Sequence, residues 1–133
     1  MTRTLVVCYI IAASQFILGA LFLFAPQFFM EIQGFSAIGA DIGYTLSMLA
    51  GRFLVYGVGM VLIAREPVKY RPWLDGMIAI QAIDLLGGLY YTGAGIVSLA
   101  VSGIAMFDAA LFIALLLWIR PSNDAVNAQV ANA

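Results

Sequence analysis

Histidine is absent from the sequence, cysteine occurs once, and charged residues make up only 10% of its 133 positions. Without histidine, no His-ligated haem, zinc or copper site can be built from this chain alone. A Ser-His nucleophile is excluded for the same reason, which leaves Ser14 and Ser47 without a base. Cys8 has no partner for an internal disulfide and sits in an apolar stretch without basic neighbours, so it reads as a packing residue. The few charges nearly cancel, six Lys and Arg against seven Asp and Glu. A net charge of −1 offers neither a basic face for nucleic acid nor an electrostatic anchor for a membrane surface.

What fills the chain instead is apolar. Hydrophobic residues account for 64% of it, against roughly half in soluble domains. A water-soluble domain of this length buries only about two thirds of its surface, too little to hide so much apolar material. The natural solvent is therefore lipid. Crossing the hydrocarbon takes about 20 mostly apolar residues in a helix. Cutting the chain at its charges, prolines and glycines leaves four qualifying segments, near 4–25, 42–64, 73–92 and 96–119. The expected fold is all-α, an integral membrane antiparallel four-helix bundle forming one domain over 1–120 and followed by a polar tail, 121–133.

The first span runs on through FLFA to Pro26, longer than the apolar core of a signal peptide, and reads as an uncleaved helix. The connection PQFFMEIQGFSAIGAD is too polar and too short to cross. It reads either as a short interfacial helix opened by Pro26 and ended near Gly34, or as an irregular loop dipping its Phe side chains among headgroups. The tail PSNDAVNAQVANA lacks large apolar residues with which to bury itself and is expected to be disordered in isolation.

Orientation follows from the basic residues. Arg65, Lys69 and Arg71 crowd the connection REPVKYRPW, and positive residues near span ends favour the cytoplasmic side. With four crossings Arg3 and Arg120 fall on that side too, while Glu31, Asp41 and the YTGAG turn fall on the other. Tyr70, Trp73, Tyr90, Tyr91 and Trp118 stand at span ends, where amphipathic rings prefer the interface. The chain is thus expected in a bacterial cytoplasmic (inner) membrane with both termini cytoplasmic.

Counting 1.5 Å of rise per residue, Gln15, Arg52, Asp84 and Asp108 reach a similar depth near the bilayer centre, one on each span. A charge there costs about 2.5–3.5 kcal/mol if it faces lipid, so the three charges are expected to turn inward. Arg52 can then fork onto Asp84, Asp108 or both. With both acids ionised the group carries −1 in a dry interior, so one aspartate is expected to share a proton. Gln81, one turn from Asp84, is placed to donate to it, and Tyr56 shares the face of Arg52. Small residues, Gly19, Gly51, Gly57, Gly87, Gly88 and Gly103, are candidates for close helix approach. The segment DLLGGLYYTGAG follows no strand and carries no Lys, so it is no phosphate-binding loop.

The run FAPQFF after the first helix, the Gly-bearing outer loop and AGRFLVYGVGM in the second, with two further helices, resemble the small DoxX-like four-helix membrane proteins over residues 10–119. That group includes a small subunit implicated in quinone-linked sulfur oxidation and many members with no assigned activity. The resemblance implies four helices and a place for Arg52, and carries over no catalytic residue. Two functions are weighed, the first as the expected one and the second as its alternative. One is a small non-catalytic integral membrane subunit or assembly partner of a larger complex. The other is a small oligomeric transporter or proton-coupled carrier working through Arg52, Asp84 and Asp108. The expected partners are the lipid bilayer and other membrane subunits or further copies of the chain. No cofactor, metal or nucleic acid is expected.

Overall fold

The computed structural model describes residues 2–35 and 39–131, so residue 1, residues 36–38 of the first connection and 132–133 of the tail lie outside the described residues. It contains helices and no strand among the described residues: α1 Thr2–Phe24, α2 Pro26–Ile32, α3 Ala40–Arg65, α4 Arg71–Gly93, α5 Leu99–Ile119 and α6 Asn123–Ala131. The four long helices pack as a ring, α1 on α3, α3 on α4, α4 on α5 and α5 on α1. Contact is most extensive within the pairs α1–α3 and α4–α5.

Three helices, Thr2–Phe24, Asp41–Arg65 and Leu99–Ile119, are long and apolar enough to cross a membrane. α4 has the length, but Gln81, Asp84, Asp75 and its glycines dilute its apolar content. The outward surface agrees with a lipid solvent, since Ile10, Ile17, Ile83, Leu86, Ile104 and Phe107 all stand more than half exposed. In water such a surface would far exceed the apolar patches that monomeric proteins tolerate.

The helix ends follow local chemistry. Pro26 stands in the first turn of α2 and Pro72 in that of α4, where a missing N–H costs nothing. α2 ends at Gly34, whose φ of +85° lets the Gly34 N–H reach the Glu31 carbonyl at 3.0 Å and the Phe35 N–H reach that of Met30 at 3.1 Å. The same closure ends α4 at Gly95, φ +71°, with the Ile96 N–H 3.0 Å from the Tyr91 carbonyl. This closure also shortens the last span relative to 96–119, because Ile96, Val97 and Ser98 belong to the turn and α5 begins at Leu99.

Of the two readings of the first connection, the short helix is the one formed, over Pro26–Ile32. One expectation is corrected. The tail, expected to be disordered, is helical over Asn123–Ala131, started by the Ser122 hydroxyl, which accepts from the Ala125 N–H at 3.3 Å.

Packing divides the ring into two unlike halves. Toward the α3–α4 connection, Cys8, Ile11, Met60, Ile63, Leu74, Met77, Phe112 and Leu116 are buried in one continuous core. Ion pairs and rings close that end. Arg120 forks onto Asp75, with Nε 2.6 Å from Oδ1 and Nη2 3.0 Å from Oδ2, while the Arg3 guanidinium lies 5.5 Å from the Trp118 ring centroid. The fork with Asp75 holds the Arg120 proton more firmly than usual, and hydrogen bonding to Glu66 does the same for Lys69. Toward α2 the second core is smaller, built on Phe22, Leu46 and Ala50.

Close approach between α1 and α3 depends on two glycines. A Cβ on Gly19 would lie 2.8 Å from Leu54 Cγ and 3.3 Å from its backbone nitrogen, and one on Gly57 would strike the Phe16 ring at 2.7 Å. Gly88 is likewise closed off by Met106. Gly51 and Gly87, expected with them to be packing residues, have open space where a Cβ would stand, and Gly103 meets only Leu99 of its own helix.

Candidate functional site

Arg52 stands near the midpoint of α3 and Asp84 near that of α4, and the two helices bring them together as a two-pronged ion pair. Nη2 lies 2.7 Å from Oδ2 and Nη1 3.2 Å from Oδ1. The planar guanidinium matches both carboxylate oxygens at once, which fixes the rotation of α3 relative to α4 as well as their distance. The Phe53 ring centroid lies 5.1 Å from the same guanidinium carbon. The pair is not sealed: its side chains are 32% and 36% exposed. That exposure faces a cavity.

The cavity, about 550 Å³, lies between the hairpins on the α2 side of the ring. Its polar end gathers Gln15 from α1, Arg52 from α3, Gln81 and Asp84 from α4 and Asp108 from α5. Its walls are apolar, with Leu18, Phe22, Phe53, Val101 and Ile104 from the long helices and Phe29 and Ile32 from α2. Phe22 holds this wall together, stacked on Phe53 at 5.4 Å and edge-on to Phe29 at 5.0 Å. α2 is thus positioned over one end of the cavity by its own aromatic side chains.

Of the residues named from sequence, Gln15, Arg52, Gln81, Asp84 and Asp108 all line this one cavity. Arg52 resolves its choice in favour of Asp84. Asp108 shares the cavity and has no hydrogen bond or ion pair among the described residues. Gln15 is 3% exposed and Gln81 7%, yet no amide atom of either is both sealed off and without a partner, because both face the cavity. The expected donation from Gln81 to Asp84 is not made.

Tyr56 does not join the group. It lies one turn further toward the α3–α4 connection and packs edge-on against Trp73 at 5.8 Å, and its hydroxyl comes within 3.3 Å of where a Cβ on Gly76 would stand. Sharing a helix face with Arg52 placed it on the right side, but one turn of rise, about 6 Å, put it at the level of the packed half. Ser98 and Ser102 belong to the α4–α5 turn, where Ser102 Oγ lies 2.7 Å from Thr92 Oγ1 and 3.1 Å from the Ser98 carbonyl. Cys8 is fully buried in the apolar core on the opposite side.

Two features escaped the sequence reading. The aromatic wall of Phe22, Phe29 and Phe53 joins three elements, and only FLFAPQFF hinted that a Phe on each side of Pro26 would face the same space. The Arg120–Asp75 fork could have been anticipated. If α4 starts where α5 ends, an acid near the start of one meets a base just past the end of the other.

The Arg–Asp pair cancels its own charge, and the cavity beside it offers one further carboxyl group, the three amides of Gln15, Gln33 and Gln81, and an apolar body. A scan against known protein families, a search of curated proteins and a search of solved structures each return no match for this chain.

Proposed function

We propose that the chain is a four-span membrane protein that binds a small amphipathic solute in the cavity between its hairpins, and that this binding serves a carrier. The observation that carries the reading is the cavity itself, polar at one end and apolar along its walls. Ligand sites have this composition, mostly apolar lining with a few placed polar groups. An Arg–Asp clamp whose only work was to fix helix rotation would be sealed by packing, as the half around Ile63 and Met77 is. In a carrier the same groups stand where a solute halfway across would meet them.

The fourth crossing belongs to this proposal. α4 pairs along its length with α5, and a helix carrying Asp84 can enter lipid when the carboxylate is turned onto Arg52. Both termini then lie on the side of Arg65, Lys69 and Arg71, the cytoplasmic side by the positive-inside rule, and α2 lies at the opposite interface. The four-helix count matches the DoxX-like resemblance. The competing function, a non-catalytic subunit of a larger complex, needs no cavity.

Native mass spectrometry of the chain, extracted from its own membrane at endogenous level in mild detergent, separates the two. The carrier reading expects a bare or homo-oligomeric chain with a small-molecule adduct that is lost in Asp108→Asn. Co-migrating subunits of other sequence, with no adduct, would establish the subunit reading instead.

A further inference from the structure

Resting on the reading that the cavity takes a solute, we infer that the solute is a lipophilic cation, an ammonium or other monocation on an apolar body, with Asp108 as its counter-ion. The argument is one of charge balance within a single space. Arg52 and Asp84 engage both guanidinium prongs and both carboxylate oxygens on each other, so the pair presents no net charge to the cavity. Asp108 opens onto the same cavity, and no base among the described residues pairs with it. The remaining polar lining is the neutral amides of Gln15, Gln33 and Gln81. An anion would meet Asp108 and find no free base; a neutral solute would leave Asp108 either protonated or unpaired in apolar surroundings, and only a cation gains from its ionised carboxylate.

The walls select the rest of the molecule. Phe22, Phe29 and Phe53 supply three rings, and Leu18, Ile104 and Val101 supply aliphatic surface. Aromatic faces attract a cation through their quadrupole and accept an apolar body equally well. A volume of about 550 Å³ lies within the range of sites for drug-sized ligands. A hydrated metal ion would gain nothing from such walls.

The test compares probes of related shape and different charge on the intact chain in phosphatidylcholine nanodiscs, with empty nanodiscs as baseline. The probes are tetraphenylphosphonium, tetraphenylborate and neutral triphenylphosphine oxide, each titrated calorimetrically. Saturable binding of tetraphenylphosphonium alone, weakened at least tenfold in Asp108→Asn and retained in Asp108→Glu, is the expected result. The comparison among probes on the unsubstituted chain holds even if Asp108→Asn fails to fold. If the anion or the neutral probe binds as tightly as the cation, the assignment of charge falls while the solute-binding cavity stands. If none of the three binds, both are overturned.

Discussion

Arg52 and Asp84 differ in what their removal leaves behind. Arg52→Leu strands the Asp84 carboxylate beside an apolar wall, whereas Arg52→Leu with Asp84→Leu removes the charge on both sides. Breaking a buried pair costs about 3–5 kcal/mol. With each partner about a third exposed to the cavity, we expect about 2 kcal/mol for Arg52→Leu and less for the double substitution. Denaturant unfolding in lipid micelles measures both. Equal losses would mean that the fork contributes nothing beyond the bulk of its side chains. Arg52→Lys should recover only part of the loss, because a single ammonium cannot engage both oxygens in the plane of the fork.

At the scale of elements, the joints are tested by their glycines. Gly95 holds φ at +71°, where a side chain costs roughly 1–2 kcal/mol, so Gly95→Ala should lower stability by about that amount and Gly93→Ala, in ordinary helix with open space around it, should not. Gly57→Leu forces the Phe16 ring away from α3 and should cost about 1–3 kcal/mol by overpacking; Gly51→Leu, with nothing in the way, should be close to neutral. Thermal melting of the four variants in one detergent checks the contrast. The start of α2 was legible because Pro26 is chemically tied to a first turn, and its end because Gly34 can take a left-handed φ. The α6 helix was not legible. Its residues have no apolar face, and only Ser122 at the entry marked it.

For the molecule as a whole, the polar layer was legible because charge in an apolar span has few places to go. One strongly polar residue per helix at one depth had to converge, and Gln15, Arg52, Asp84 and Asp108 do line one space. The sequence could not say that this space would be a cavity. Whether four helices close completely around a polar layer depends on how side chains of different helices interdigitate, as Met60, Ile63 and Met77 do in one half. Tyr56 was misplaced for the same reason, since its surroundings are set by Trp73 on another helix. The four crossings proposed here would also fix which connections share a side of the membrane. Cysteines placed at Lys69 and at Gly93 should label from opposite faces with a membrane-impermeant reagent, and labelling from the same face would remove α4 as a span.

The measurement that bears most directly on the account is thiol accessibility at Leu18, which is half-buried and lines the cavity. A small impermeant thiol reagent, added to vesicles from the α2 side, should modify Leu18→Cys. Met77→Cys, within the packed half, should stay unmodified, and so should native Cys8, which is 0% exposed. A Leu18→Cys chain as unreactive as the Met77→Cys chain would mean that the space beside Arg52, Asp84 and Asp108 is closed to solutes, and the proposed binding site would fall with it.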